Sequence, residues 1–203
     1  MTKSLKRLAV ILMLGISYVQ AAVATEQTLH LRGVISEIEN DELIVVARDG
    51  SKNSIRLSDQ TKILDVSRVD LSVVKENTYL GVAAVDAPSG KLRALGMIIF
   101  PEGARGLNEG HFPWDKGPSS SMTNATVAKL VKKKNGAELE MRFGDKSKIV
   151  VIDSKTKLSQ FVPGRKDLLV AKSNVMVVAQ MTEGGVVNAQ VILVGRDGFI
   201  PPI

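Results

Sequence analysis

The segment EGHFPWD gathers side chains that can bind a metal ion. His111 supplies an imidazole, and Glu109 and Asp115 supply carboxylates. Met122, a little further along, adds a thioether. Imidazole, carboxylate and thioether together suit copper or a similar transition ion. One loop histidine is a small ligand set, however, and His30 is the one other histidine of the chain. A metal site centred on His111 is therefore one of two interpretations of this segment.

The second interpretation is structural and concerns Phe112 and Trp114, the latter being the single tryptophan. Residues 104–124 form a longer connection than domains usually carry, and such loops are either functional or disordered. Aromatic rings of this size leave large apolar surfaces in water unless they pack. We therefore predict that the segment is neither strand nor helix. It folds back as a clasp whose two rings lie in the seam between two domains, where they also rank as candidate binding residues.

Basic side chains are the next candidates for binding. Arg48, Lys52 and Arg56 follow one another in the first half of the chain, and Arg142 and Lys146 occupy a similar stretch in the second half. Arginine and lysine in such a position can bind an anionic glycan, a peptide or a small anionic solute. The alternative is that these residues form the solvated face of a β-structure, which is the common case.

Motifs of catalysis are missing from the sequence. We find no nucleophile elbow, no zinc-protease helix, no phosphate-binding loop and no dinucleotide fingerprint. Ser119–Thr123 offers hydroxyl groups, but a nucleophilic serine needs a positioned base. We therefore name no catalytic residue and expect a protein that is not an enzyme.

The first residues have the layout of a secretory signal peptide. The cationic start MTKSLKR precedes the apolar run LAVILMLGISYV and the small-residue stretch QAAVA. Ala22 and Ala24 fit the small positions of a cleavage site, so we expect residues 1–24 to be removed. The apolar run is shorter than the ~20 residues that span a bilayer. The expected product is periplasmic or secreted, with no transmembrane span after cleavage.

Composition narrows the possible partners. The chain has no cysteine, so neither disulfides nor thiolate metal sites are available. Loss of Lys3, Lys6 and Arg7 with the signal peptide leaves 24 basic against 21 acidic residues, a charge of +3 instead of +6. That excess is mild, and aromatic residues make up only 4%. We therefore expect no nucleic-acid partner.

The remaining chain repeats itself. Thr61–Ile63 matches Thr156–Leu158 at an offset of 95 residues, and ALGMIIFPEG matches AQVILVGRDG at the same offset. Between these two matches, DLSVVKEN from Asp70 corresponds to DLLVAKSN from Asp167 at an offset of 97, which indicates a two-residue insertion. Three matches in one order favour an internal duplication.

Each copy is predicted to be β-structure with one short helix, which begins at Asp70 or Asp167. Alternating stretches such as TLHLRGVISEIE and Val-rich stretches such as ELIVVAR are typical of strands. An open sheet of five or six short strands leaves unpaired main-chain groups on its two edge strands, whereas closure into a barrel pairs them. We predict an all-β protein of two tandem OB-like barrels, residues 25–103 and 125–203, joined by the hinge 104–124. A single β-sandwich is the alternative.

The hinge supports a resemblance. Its residues EGHFPWD and the following SSSMTNATV resemble the hinge of an uncharacterised family of exported bacterial proteins with tandem OB-like barrels. The likeness spans nearly the whole chain after residue 24, and it implies the two-barrel fold but no activity.

Together these features predict an exported, soluble, non-enzymatic binding or accessory module of the cell envelope. The expected partner is an envelope protein, a glycan or a small anionic ligand. No cofactor is predicted, apart from a transition metal that would have His111 as its central ligand. Periplasmic metal handling is therefore the alternative function.

Overall fold

The structure is a computed structural model that describes residues 27–203. Every regular element in this range is a β-strand or a single 3-10 turn, which confirms the predicted all-β class. Within the same range, no helix has the length and apolar character needed to cross a bilayer. The expected signal peptide, residues 1–24, lies outside the described residues.

Thirteen strands belong to one hydrogen-bonded network. Their bounds are β1 Gln27–Glu39, β2 Glu42–Ala47, β3 Lys52–Arg56, β4 Lys62–Arg68, β5 Tyr79–Asp86, β6 Leu92–Ile99, β7 Gly110–Pro113, β8 Ser120–Lys133, β9 Gly136–Phe143, β10 Lys146–Asp153, β11 Lys157–Pro163, β12 Asn174–Met181 and β13 Val187–Gly195. The 3-10 turns are Leu71–Val73, Pro88–Gly90, Glu102–Ala104, Lys166–Leu168 and Arg196–Gly198.

Local sequence explains the strands and the turns between them. In β2, Leu43 and Val45 are fully buried while the intervening residues are more exposed, as the two-residue period of a strand requires. Asn40 follows the end of β1 with a φ of 52°, in the left-handed region that asparagine tolerates better than most residues. Gly136, with a φ of 144°, opens β9 in a conformation that side chains rarely adopt.

The strands close into two five-membered rings. The first ring follows the order β1, β2, β3, β13, β12 and back to β1, and the second follows β8, β9, β10, β6, β5 and back to β8. Closure is narrow: Arg56 of β3 pairs with Asn188 of β13, and Leu92 of β6 pairs with Val150 of β10. The connecting strands β4 and β11 pair with each other and join the rings.

Each ring takes strands from both halves of the chain. β1 to β3 close with β12 and β13 from the second half, whereas β8 to β10 close with β5 and β6 from the first half. Two tandem barrels at 25–103 and 125–203 are therefore not confirmed, because neither segment contains a complete ring. The physical reason is the chain path: β4 leaves the first ring along β13 and carries the chain across to the second ring.

The two halves are related by an internal two-fold arrangement. β4, β5 and β6 correspond to β11, β12 and β13 at a constant offset of 95 residues. The turns Leu71–Val73 and Lys166–Leu168 keep this offset, as do Asn77 and Lys172, the two positive-φ residues that follow them. The predicted two-residue insertion is therefore wrong, since the structure equates Asp70 with Arg165 and not with Asp167.

The predicted short helix is a single 3-10 turn in each half. Asp70 does precede the first turn, but its side chain makes no capping hydrogen bond. In the second half Arg165 takes this position, and Asp167 lies inside the turn.

Each ring encloses its own apolar interior. The first-ring interior includes Ile35, Leu43, Val45, Ile55, Val177 and Ile192, and the second includes Leu80, Val82, Met97, Leu139, Met141 and Val150. All twelve side chains are fully or almost fully buried. At roughly 1.5 to 3 kcal/mol for each buried aliphatic side chain, these interiors dominate the stability.

A third cluster lies between the rings. This seam cluster comprises Val66, Ala83, Ile98, Met122, Phe161, Met176, Leu193 and Ile203. Val66 of β4 pairs with Phe161 of β11, and Ile203 comes from the C-terminal segment. Because every side chain of the seam cluster is at most 9% exposed, the two rings pack against each other as one unit.

The segment 104–124 differs from its prediction. It contains the strand β7, which pairs with β8 from Ser121 to Asn124, and β8 itself begins at Ser120. The preceding residues are held by side chains, since the Tyr79 hydroxyl donates to the Leu107 carbonyl at 3.0 Å. Burial, followed by the charge of Glu109, raises the pKa of Tyr79 to about 12. The prediction that this stretch holds no strand was wrong.

Candidate functional site

A cleft opens beside β1, β2 and β12, under the C-terminal segment. Its volume is about 270 Å³. Apolar residues make up most of its wall, among them Val34, Val46, Val175, Ile200 and Pro201. Arg32 and Arg48 are the charged residues in the lining. A concave apolar surface with a few charged groups is the usual form of a small-molecule site.

Positive charge collects next to this cleft. Lys116 is half-buried, and its Nζ donates to the Pro202 carbonyl at 2.6 Å. Burial lowers the pKa of the Lys116 ammonium below its usual value. Nearby positive charges lower that pKa further; they belong to Arg32, Arg48 and Lys157. Mutual repulsion of this kind means that the site favours a negative charge.

Asp115 is the carboxylate that balances part of this charge. Its two oxygens accept hydrogen bonds from the Arg32 guanidinium at 2.9 and 2.7 Å. Burial by itself would raise the pKa of Asp115, but the Arg32 hydrogen bonds and charge, followed by the charge of His30, hold it below its usual value. Arg32 also donates through Nε to the main-chain oxygen of Ile203 at 3.0 Å. The Arg32 side chain is therefore fixed from two directions.

His30 lies two residues before Arg32, so the two side chains are on the same face of β1. Its Nδ1 is 3.3 Å from the Asp115 carboxylate, and its ring is 4.4 Å from the ring of Trp114, measured between centroids. Burial lowers the pKa of His30 below its usual value; Asp115 opposes that shift and Arg32 adds to it. The neutral imidazole therefore predominates at neutral pH.

Phe112 and Trp114 pack partly buried against the seam cluster. Their rings meet edge to face with centroids 6.3 Å apart. The Trp114 main-chain N–H donates to the Ser120 carbonyl at 2.8 Å, which continues the pairing of β7 with β8. The buried indole Nε1 has no hydrogen-bond partner among residues 27–203. Both rings thus contact the seam cluster, and the indole of Trp114 also lies 5.9 Å from the Arg32 guanidinium, measured to the ring centroid.

A second cleft of about 560 Å³ lies beside β8 and β9 in the other ring. Arg142, Glu76 and Glu109 provide its charged lining. Glu109 accepts a hydrogen bond from the Gly144 N–H at 2.9 Å. Two carboxylates offset the single guanidinium, so this cleft lacks the positive excess of the first one.

The four residues predicted as metal ligands have separate partners. His111 Nδ1 lies 2.8 Å from Thr123 Oγ1, and its ring stacks near Phe143. Glu109 bonds to Gly144 as described, and Asp115 bonds to Arg32. Met122 is buried in the seam cluster, 3% exposed.

No group of three or more His, Cys, Asp or Glu residues within 27–203 is arranged to hold a metal ion. His30 contacts Asp115, whereas His111 contacts Thr123, so each histidine has a different environment.

The basic residues predicted to bind an anion also lie at different places in the structure. Arg48 lines the first cleft and Arg142 the second. Arg56 is exposed at the end of β3, opposite Glu42 of β2, and belongs to neither lining. Lys52 and Lys146 are exposed at the starts of β3 and β10.

Sequence reasoning missed Arg32, His30 and Lys116. The alternation in LHLR could have placed His30 and Arg32 on one face of a strand, since side chains of a strand alternate. Nothing in the sequence indicates that this face meets Asp115, which lies 83 residues beyond Arg32.

Comparisons with other proteins add no relative: no family model, no curated protein and no solved structure matches this chain significantly. The geometry of the site is therefore the basis for assigning a function.

Proposed function

We propose that the protein is an exported, non-enzymatic binding module of the cell envelope that takes a small organic anion in the first cleft. The observation that carries this proposal is the pairing of an apolar cleft with a local excess of positive charge. Arg32, Arg48 and Lys157 lie close enough to the Lys116 ammonium to lower its pKa, and Asp115 offsets part of this positive charge through its ion pair with Arg32.

The lining indicates the kind of ligand. Val34, Val46 and Ile200 offer contact to an apolar group, whereas Arg48 offers a charge-assisted hydrogen bond to an anion. Arg32 is already bonded to Asp115 and Ile203, so Arg48 is the guanidinium with hydrogen-bonding capacity left for a ligand. An amphipathic carboxylate, such as a short acyl or peptide carboxylate, fits better than a polar glycan.

Two further features support this role. Counted along the chain, the five strands of the first ring follow the order 1-2-3-5-4, and strands 3 and 5 pair through one residue of each strand. Both features fit a small, partly open OB-type barrel, a fold that commonly binds ligands on its face. That support is an analogy of fold and assigns no ligand by itself. The layout of residues 1–24 supports export, and the absence of a catalytic motif from the sequence supports a binding role.

Titration with sodium hexanoate, followed by NMR of the isotope-labelled protein, tests the proposal. We expect saturable shifts at Val34, Val46 and Arg48. Arg48→Ala should weaken binding about tenfold, which corresponds to about 1.4 kcal/mol and lies near the value of a hydrogen bond to a charged group. Arg56→Ala is the matched control, because it removes the same charge from the same hairpin outside the cleft. Equal effects of the two substitutions, or shifts that never saturate, would refute the proposal.

Metal handling centred on His111 is the other function that the sequence predicts. The separate partners of Glu109, His111, Asp115 and Met122 give this alternative no support. Calorimetric titration with copper, zinc and nickel should therefore give no saturable heat that His111→Ala removes. A saturable heat that disappears in this variant would restore the metal hypothesis.

A further inference from the structure

β1 has strand neighbours on both sides along only part of its length. Residues Gln27 to Val34 pair with β12, whereas β2 covers the opposite edge only from Gly33 onward. Between Leu29 and Arg32, one edge of β1 therefore has no strand partner among residues 27–203.

Main-chain groups point outward along this edge. The N–H of Ile35 donates to the Ser173 carbonyl at 3.0 Å, on the side of β12. Because direction alternates along an antiparallel strand, Thr28, His30 and Arg32 direct their N–H and C=O groups to the opposite side. Within the described range, neither Thr28 nor His30 forms a main-chain hydrogen bond there, because the pairing with β2 starts only at Gly33.

The equivalent edge of the second ring is covered. Ile35 corresponds to Val127, because each bonds to the residue before β12 or β5, and this relation equates His30 with Met122 and Arg32 with Asn124. β7 pairs with this stretch of β8, so that Phe112 faces Met122 and Gly110 faces Asn124. The internal two-fold arrangement thus contains one filled and one open copy of the same slot.

The exposed fractions of the side chains differ between the filled and the open slot. Met122, Thr123 and Asn124 are 3%, 0% and 6% exposed under β7. Their counterparts His30, Leu31 and Arg32 all remain partly exposed, and the side chains of His30 and Arg32 are 21% and 19% exposed. A strand at the open edge would bury them to the same degree as on β8.

We propose that the edge of β1 from Leu29 to Arg32 binds an extended peptide segment of a partner protein as an added antiparallel strand. Strand addition of this kind gains affinity from main-chain hydrogen bonds and specificity from alternate side chains. The slot is four residues long, like β7, and ends at Gly33, where the pairing of β1 with β2 begins. This short length suits an isolated extended segment better than the edge of a second folded sheet.

β7 also indicates the sequence that the slot accepts. On β8, His111 faces Thr123 and its Nδ1 lies within hydrogen-bonding distance of the hydroxyl. On β1 the corresponding residue is Leu31, which can make no such bond, and Leu29 lies two residues before it. The bound segment therefore carries apolar side chains at its second and fourth positions.

Disulfide trapping tests the register directly, since the chain has no cysteine. Residues 29 and 31 would form the non-hydrogen-bonded pairs with the added strand, whose Cα atoms approach closely enough for a disulfide. We would incubate Leu31→Cys with the synthetic peptide Ser-Gly-Cys-Phe-Val-Ser in a glutathione buffer and follow the mixed disulfide by mass spectrometry. Ile38→Cys is the control, because Ile38 is 36% exposed on the same strand but already paired with β2.

The expected result is trapping at Leu31→Cys about tenfold faster than at Ile38→Cys, a preference of about 1.4 kcal/mol. Equal rates would overturn the proposal. Faster trapping between copies carrying Leu31→Cys and Leu29→Cys would also overturn it, because a second copy of the chain would then occupy the edge.

A measurement on the unsubstituted chain covers the case in which Leu31→Cys fails to fold. Trp114 is the single tryptophan and contacts His30, so its fluorescence should change saturably with the peptide Ser-Gly-Val-Phe-Val-Ser. An unchanged spectrum would overturn the proposal. Neither readout depends on Arg48. A failure of the strand-addition proposal is therefore distinguishable from a failure of anion binding in the cleft.

Discussion

Arg32 connects three separate parts of the chain. It lies on β1, bonds to Asp115 beyond β7 and bonds to Ile203 in the C-terminal segment. Its side chain is 19% exposed, so these bonds are partly shielded from water. A bidentate pair of this kind has more geometric specificity than an exposed ion pair. Arg32 therefore fixes the wall of the cleft while Arg48 stays available at its rim.

His30 makes stability depend on pH. Burial, which is the largest cause, lowers its pKa from 6.5, so the unfolded chain binds a proton more readily than the folded chain. Neutral His30 therefore favours the folded state fully at a pH above its unfolded pKa. This stabilisation is lost as the pH falls from the unfolded pKa towards the lower folded pKa. The pKa of His111 is also lowered, first by burial and then by Lys148, and acts in the same direction.

The melting temperature should therefore decrease as the pH is lowered from 8 to 5, the range in which histidines titrate. His30→Gln and His111→Gln should each reduce this slope, and the double variant should remove most of it. Calorimetry at several pH values measures the effect. A slope that is unchanged in the double variant would assign the pH dependence to other groups. The stabilisation from Asp115 is present throughout this range and is lost only at lower pH, because its unfolded pKa is 3.8 and its folded pKa is lower still.

At the scale of elements, β7 and the residues after it hold the seam. Trp114 packs on His30 and on the seam cluster, while its indole Nε1 is buried without a partner among the described residues. The ring thus contributes by its apolar contact and not by its N–H group.

We expect Trp114→Ala to lower the free energy of unfolding by about 2 kcal/mol, somewhat below the range for a fully buried aromatic because the ring is half-buried. Trp114→Phe should cost clearly less, since it keeps a ring and removes the unpaired donor. Chemical denaturation of both variants measures the difference. Equal losses would show that the indole N–H is important, and no loss in either variant would show that the Trp114 ring does not stabilise the seam.

The elements show what the sequence allowed and where it stopped. The alternation in β1 and the Val-rich stretch of β2 were readable from the sequence, because both are properties of short segments. β7 was not, because GHFP has no alternating apolar pattern and pairs through its main chain with β8. The candidate site followed the same rule: Arg48 could be proposed from its residue type and its place beside a strand, whereas Arg32 is fixed through Asp115, far away in the chain.

The whole molecule is defined by the exchange of strands between its two halves. Repeat matching detected the correspondence of the two halves and its approximate offset, since matching elements follow one another in the same order. It could not tell whether β12 and β13 close on their own half or on the other half. Both arrangements bury the same apolar side chains, and the choice depends on the path of β4 and β11 across the seam.

Disulfide formation between engineered cysteines tests this exchange most directly. Thr28 of β1 faces Gln180 of β12, whereas in two tandem barrels it would face Val85 of β5, the residue equivalent to Gln180. Thr28 and Gln180 do not share ladder hydrogen bonds, so their Cα atoms are close enough for a disulfide. In the cysteine-free background, the pair Thr28→Cys and Gln180→Cys should oxidise to an intramolecular disulfide, and the pair Thr28→Cys and Val85→Cys should stay reduced. Oxidation of the second pair but not of the first would contradict the exchange of strands.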